Sequence, residues 1–283
     1  MEERRPTPPG PLPFRKMHGL GNDFVILDAR GVAWAMSPAL ARAIGDRHIG
    51  VGYDQLALVR ADPEETAALE FWNADGSEAA ACGNATRCVA SLLFAETGAR
   101  RVTLRTAAGR LTCDALLDGA VSADMGPALF GWEDVPLAEA VDTVSLPLDG
   151  APGAVSIGNP HCVFFVDDAE VVALTEIGPR MEHHPLFPKR TNVEICQVLT
   201  TSRLRMRVWE RGGMITRACG SGACAAVVAG VRKGLLERTV DVELDGGVLH
   251  IHWREDGHVV MTGPVAHVFD GVLSADFLAE AGR

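Results

Sequence analysis

Lysine and tyrosine are scarce in this sequence. Its 283 residues include three lysines, Lys16, Lys189 and Lys233, and a single tyrosine, Tyr53. Schiff-base chemistry needs a buried amine of lowered pKa, and none of the three lysines has a sequence context suggesting one. Lys16 stands beside the expected start of folding, Lys189 in a Pro188-Lys189-Arg190 turn, and Lys233 just before Gly234 at a helix end. Positive charge is also in deficit. Lys and Arg number 26 against 37 Asp and Glu, a net charge of -11, so the chain repels polyanions and nucleic acid is not expected as a partner. No apolar run approaches the roughly 18 residues of a membrane span; the most apolar, Ala223 to Val231, is half that. No C-x-x-C or H-E-x-x-H spacing exists, so no metal site is expected. A secretory signal would need an apolar stretch of about 7–15 residues. Prolines at 6, 8, 9, 11 and 13 occupy that place instead. Residues 1–13 read as a disordered extension, the protein as cytoplasmic, and its seven cysteines, an odd number, as reduced.

What is present is a chain with 47% hydrophobic and 22% charged residues, enough for a sizeable core. Strands are expected at Phe24 to Asp28, Gln55 to Arg60, Ala68 to Trp72, Val102 to Arg105, Arg110 to Ala115 and Ala120 to Met125. A helix should start at the cap Ser37 with Pro38 in its first turn, and another should run from about Thr86 to Glu96. The second half repeats the plan. Strands are expected at Val155 to Ile157, Cys162 to Val166, Val193 to Leu199 and Leu204 to Trp209, then a helix to about Leu236, then Val240 to Leu244, Val248 to Trp253 and His258 to Thr262.

The two halves agree best at one loop. Ala81-Cys82-Gly83-Asn84-Ala85 answers Ala218-Cys219-Gly220-Ser221-Gly222, each leading into an Ala/Val-rich helix, and Cys219 follows Cys82 by 137 residues. Two similar domains, each presenting a cysteine at a helix N-terminus, are therefore expected. There the helix dipole should favour a thiolate, and the first-turn amides of Gly83, Asn84, Gly220 and Ser221 could hold a carboxylate. If one thiolate removes an α-proton and the other thiol protonates the opposite face, the centre inverts, which is racemase or epimerase chemistry without a cofactor. Cys88, Cys113, Cys162, Cys196 and Cys224 lie in apolar segments and read as packing residues.

Several ordered segments now resemble one family, the diaminopimelate epimerases: KMHGLGNDF (16–24), GVGYDQL (50–56), WNADGSEAAACGNATRC (72–88), GNPHCV (158–163), RTNVE (190–194), WERGG (209–213), ACGSGAC (218–224) and MTGP (261–264). The resemblance implies pyridoxal-independent conversion of LL- to meso-diaminopimelate, with no cofactor and no metal. It implies Cys82 and Cys219 as the acid/base pair, with His161 assisting Cys82 and Glu210 assisting Cys219. It further implies Asn22, Gln55, Asn73, Gly83, Asn84, Asn159, Asn192, Arg211, Gly220 and Ser221 as substrate-binding residues, with Arg211 on the distal carboxylate. The implied fold class is α+β: two pseudo-symmetric domains, each a curved, mostly antiparallel sheet around a central helix, with the active site in the cleft between them. The expected domains are residues 14–126 plus 266–283, and residues 127–265. A homodimer is implied too.

The sequence departs from the family pattern at Met214 and Ile215, where many members carry Gly-Glu, at Ala85, where Gly is common, and at Phe269, often Tyr at a dimer contact. Two other readings stay open. One is a related two-thiol racemase acting on proline, hydroxyproline or a different polar amino acid, the cyclic substrates having no distal amino-acid head for Arg211. The other is an inactive binding protein, which would be free to lose a thiol.

Overall fold

The computed structural model describes residues 10–32 and 34–281. Residues 1–9, most of the expected extension, lie outside the described residues. The structured chain begins earlier than Phe14: β1 (Leu12–Gly19) includes Leu12 and Pro13. Leu12 and Phe14 alternate into the core, and the strand pairs along its length with the last strand of the chain, Leu12 opposite Leu273. Pro13 is tolerated at this strand start, where a missing N–H costs least.

Contacts divide the chain into two compact units, one running to Val121 and resuming at Val265, the other Ser122–Pro264. The first continues with β2 (Asn22–Asp28), α1 (Pro38–Gly45), β3 (Gln55–Arg60), β4 (Ala67–Asn73), β5 (Glu78–Ala79), α2 (Gly83–Thr97), β6 (Arg101–Thr106) and β7 (Gly109–Ala115). The change of unit falls at the start of β8 (Val121–Pro127). The second holds β9 (Gly153–Ser156), β10 (Pro160–Phe165), α3 (Leu174–Glu182), β11 (Asn192–Thr200), β12 (Arg203–Glu210), β13 (Met214–Ile215), α4 (Gly220–Arg232), β14 (Thr239–Leu244), β15 (Gly247–Trp253) and β16 (His258–Gly263). β17 (Ala266–Leu273) and α5 (Ala275–Ala281) return to the first unit.

The units share one topology, and the fold is α+β with a repeated domain. In the first, β2–β3 and β4–β6 pair parallel, while β3–β4, β4–β5 and β6–β7 pair antiparallel. In the second, β10–β11 and β12–β14 are parallel, and β11–β12, β12–β13 and β14–β15 antiparallel. Even the register repeats. Phe24 faces Gln55, Leu56 faces Trp72 and Trp72 faces Glu78; residues 137 positions later, His161 faces Asn192, Val193 faces Trp209 and Trp209 faces Ile215.

In each unit one helix is wrapped by the sheet. α2 packs on β1, β2, β3, β6 and β7, and α4 on β9, β10, β11, β12, β15 and β16. Nearly every residue from Gly220 to Gly230 is buried, which only a helix of small apolar residues on all sides permits. The outer sheet faces carry the remaining helices. α1 and α5 cover a core including Val25, Leu27, Leu56 and Leu58, and α3 covers one including Phe164, Val193 and Ile195. Each such side chain contributes about 1.5–3 kcal/mol by leaving water.

Helix ends follow their local chemistry. Ser37 accepts from the Leu40 N–H at 3.2 Å and caps α1, a contribution of about 1 kcal/mol. α2 begins at Gly83, three residues before the expected Thr86, because Cys82 itself is the cap; it ends at Gly98 in the left-handed conformation. α4 stops at Arg232, short of Leu236, with Gly234 left-handed just beyond it.

Candidate active site

Cys82 and Cys219 occupy the same place in the repeat. Each is the extended N-cap of its unit's central helix, and each sulfur accepts an N–H three residues on, from Ala85 and from Gly222, both at 3.4 Å. Cys82 is half-buried and Cys219 buried. The first-turn amides beside each sulfur lie outside the helix's own hydrogen-bond ladder, which gives both sites the means to hold an anion.

In the first unit the named residues form two contacts. Gln55 donates to Asn73 Oδ1 at 2.9 Å, and Asn73 donates to Ser77. Asn84 donates to Asn22 Oδ1 at 3.1 Å, while Asn22 donates to Asp54 at 2.9 Å and Arg87 donates to Asn84 Oδ1 at 2.9 Å. The Asn84 side chain is therefore engaged at both its oxygen and its nitrogen within the protein. Asp54 is a residue that sequence reasoning missed. It is gripped by Arg47, which also pairs with Asp23, and Asp23 receives Lys16 as well. Burial raises the Asp54 carboxyl above its ordinary range despite the Asn22 hydrogen bond.

The second unit holds Asn159, His161, Asn192, Glu210, Arg211, Gly220 and Ser221 together with Cys219. Asn159 donates to the Ser221 hydroxyl at 3.3 Å and its Oδ1 lies 2.9 Å from His161 Nε2. Asn192 donates to the Pro160 carbonyl and accepts the Arg211 backbone N–H at 2.9 Å, tying the loop after β12 to β11. Thr216 donates a short hydrogen bond to Glu210. The Arg211 side chain is exposed, and its guanidinium makes no ion pair among the described residues. Met214 and Ile215 form the exposed return strand of this hairpin, Met214 opposite Glu210.

The repeat pairs these residues two by two at the offset of 137: Asn22 with Asn159, Gln55 with Asn192, Asn73 with Glu210, Cys82 with Cys219, Gly83 with Gly220, and Asn84 with Ser221. Before each Asn of the first pair stands a glycine in the left-handed region, Gly21 at φ 80° and Gly158 at φ 83°, so the same tight turn presents both. His161 breaks the pattern. It lies in the unit of Cys219, and its counterpart in the unit of Cys82 is the buried Phe24.

The expectation of an acidified thiol at a helix start is not met at Cys219. Burial pushes its thiol well above the ordinary value, and the charges of Glu210 and Glu194 push the same way; the Gly222 N–H and the Ser221 hydroxyl oppose them only in part. A dipole contribution of about 1 kcal/mol cannot outweigh desolvation of a thiolate. These effects together favour the thiol form of Cys219. Cys88, Cys113, Cys162, Cys196 and Cys224 are all fully buried, and burial raises Cys88 to about 12. Lys233, expected to be an ordinary amine, is lowered by burial; it donates to Ser145 and to the Ala151 carbonyl at the far end of α4 from Cys219.

Glu194 and Glu182 were also missed. Glu194 lies 2.6 Å from His161 Nδ1, and both are fully buried. Glu182, from α3, accepts from Trp209 Nε1 at 2.7 Å and from the Gly212 N–H at 2.9 Å. A carboxylate inside an otherwise apolar stretch, as Glu194 is in Val193 to Cys196, was the available signal.

The diaminopimelate epimerase family model matches residues 14–130 and 153–268. The chain belongs to that family. It is an isomerase by that membership. The diaminopimelate epimerase of Rhodospirillum centenum is 55% identical over 272 residues, covering 94% of this chain and 93% of its own. That of Acidiphilium cryptum is 54% identical over 271 residues, covering 94% and 98%. A solved structure of a hydroxyproline epimerase from Agrobacterium vitis shares the fold at TM-score 0.71 and 15% identity, covering 96% of this chain and 93% of its own. A phenazine biosynthesis protein of the PhzF family from Bacillus anthracis does so at TM-score 0.67 and 13% identity, covering 93% and 99%.

Proposed function

We propose that this protein converts LL-2,6-diaminopimelate to the meso isomer without a cofactor, using Cys82 and Cys219 as a thiolate and thiol pair. The observation that carries this reading is the equivalence of the two cysteines, each the N-cap of its unit's central helix with first-turn amides beside the sulfur. One thiolate takes the α-proton, forming S–H as C–H breaks, and the electron pair passes into the carboxylate. The opposite thiol then protonates the other face, and the pair ends with its protonation exchanged. Amides aimed at the carboxylate stabilise the extra charge as it develops. Because the reaction runs both ways, each cysteine serves as base for one isomer.

His161 assists Cys82, and Glu210 assists Cys219. Arg211, exposed and free of ion pairs among the described residues, receives the distal carboxylate as a charge-assisted contact. Asn22, Gln55, Asn73, Asn159 and Asn192 offer neutral amides to the ammonium and carboxylate groups, while Asn84, whose side chain is engaged by Asn22 and Arg87, contributes its backbone N–H. The domains are residues 14–126 with 266–283, and residues 127–265. The same reading places the protein in the cytoplasm, in lysine and peptidoglycan precursor synthesis. No helix among the described residues is long and apolar enough to cross a membrane. It also holds the protein to be a homodimer, and the exposed Val268, Phe269 and Val272 of β17 offer apolar surface for one.

The test is to give purified, reduced protein LL-diaminopimelate and, separately, L-proline, with no pyridoxal phosphate. Formation of meso-diaminopimelate with proline untouched is the expected result. Turnover of proline, or of neither, contradicts the reading.

A further inference from the structure

The repeat makes the two halves of the site alike, and two buried side chains make them unlike. Residues 24 and 57 of the first unit are Phe and Ala; their counterparts are His161 and Glu194, and all four are fully buried. His161 Nδ1 and Glu194 Oε1 are 2.6 Å apart. Glu194 Oε2 has no hydrogen-bond partner among the described residues, so the imidazole is the one side-chain contact that compensates this carboxylate. On its other ring nitrogen, His161 faces Asn159 Oδ1, whose amide nitrogen is turned to Ser221. A carboxylate can only accept, so Nδ1 is the ring nitrogen that donates to Glu194, which leaves Nε2, beside Asn159, as the nitrogen open to proton exchange. Glu194 also reaches the first turn of α4. A Cβ at Gly222 would stand 2.8 Å from Glu194 Oε1 and 3.2 Å from Cys219 Sγ, so only glycine lets carboxylate and thiol share this space.

We infer that Glu194 is a positioning residue that differentiates the two thiols, binding His161 through Nδ1 so that only Nε2 exchanges a proton, while its carboxylate stands beside Cys219 at the start of α4. The inference rests on the proposed two-thiol reaction. A buried carboxylate behind an imidazole fixes its tautomer and supports the imidazolium that forms when a thiol proton is accepted, without itself taking the proton. Here the same carboxylate discourages ionisation of the second thiol. The resting enzyme thereby favours the form with Cys219 as donor, and the opposite form arises with each turnover.

The test uses the full-length enzyme with its histidines labelled with nitrogen-15. In the wild type, Nδ1 of His161 should be protonated and show a strongly downfield, slowly exchanging proton; an unprotonated Nδ1 overturns the inference whatever the variants do. Glu194→Gln keeps the shape and removes the charge. It should lose that resonance, lower kcat on the order of 10²-fold with KM little changed, and speed alkylation of Cys219 by iodoacetamide. Glu194→Asp should restore part of kcat. A Glu194→Gln enzyme that keeps wild-type kcat and Cys219 reactivity overturns the inference. A wild type with the downfield proton but no epimerisation instead overturns the reading of function, so the two failures are told apart.

Discussion

Trp209 Nε1 donates to Glu182 Oε2 at 2.7 Å, and this contact anchors the loop that carries Glu210 and Arg211. The other Glu182 oxygen accepts the Gly212 N–H at 2.9 Å, so one buried carboxylate from α3 holds both ends of the turn. Burial by itself would raise the Glu182 carboxyl; these hydrogen bonds, with the charges of His183 and Arg190, carry it below the ordinary range instead. Glu182→Gln should cost about 1–3 kcal/mol of stability. It should also raise KM for diaminopimelate more than it lowers kcat, because Arg211 is the residue set loose. A carboxyl lowered on folding stabilises above its unfolded pKa and loses that contribution as pH falls through its folded value. The gap in Tm between wild type and Glu182→Gln should therefore hold from neutral pH down to about pH 5 and narrow below it. A gap that widens contradicts the assignment.

Cys219 should react as a thiol. Its raised pKa means that alkylation by iodoacetamide stays slow at neutral pH and accelerates only in the alkaline range, as thiolate forms. Glu210→Gln removes one of the charges that oppose ionisation, and should move that acceleration to lower pH. Mass spectrometry of peptides alkylated across a pH series reads both. Rapid labelling of Cys219 in the neutral wild type would show that the helix start dominates after all.

Gly222→Ala should be costly out of proportion to one methyl group. The added carbon meets Glu194 Oε1 at 2.8 Å and Cys219 Sγ at 3.2 Å, so two buried side chains must shift to admit it. Overpacking of this kind costs about 1–3 kcal/mol, readable by denaturant unfolding, and kcat should fall with it. Unchanged stability and kcat would mean that the carboxylate and thiol are not confined as described.

Arg211→Met should weaken binding of diaminopimelate through its distal carboxylate. Loss of a charge-assisted contact corresponds to a rise in KM of about 10-fold or more. Stability should be unaffected, since the guanidinium makes no ion pair among the described residues. A variant with unaltered KM would remove Arg211 from the substrate contacts.

The strands that bury one or both faces were legible because their pattern is carried by contiguous residues, and Gln55–Arg60 coincides with its expectation end to end. Leu12 and Pro13, the first two residues of β1, fall within the expected extension because Pro11 and Pro13 look like breakers, although burial alternates from Leu12 onward. α3 was missed for the opposite reason. It has no side-chain cap at Ala173, contains Gly178 and Pro179, and forms because Leu174 and Met181 pack on β11 and β12. Among the site residues, the cysteines were visible because a repeat prints its signal twice. The His161 and Glu194 contact spans 33 residues and two neighbouring parallel strands, so no local pattern shows it. The depth of burial around Cys219 is likewise a property of packing, which is why its thiol was expected to be more acidic than it is.

The central claim, two thiols acting on opposite faces of one carbon, is tested most directly by following LL-diaminopimelate in deuterium oxide with reduced enzyme and no pyridoxal phosphate. The meso product should carry solvent deuterium at the inverted carbon from the earliest turnovers, while recovered LL substrate still carries hydrogen, and Cys82→Ala and Cys219→Ala should each abolish inversion. Deuterium appearing equally in recovered substrate and product from the start, or full inversion by either variant, would contradict it.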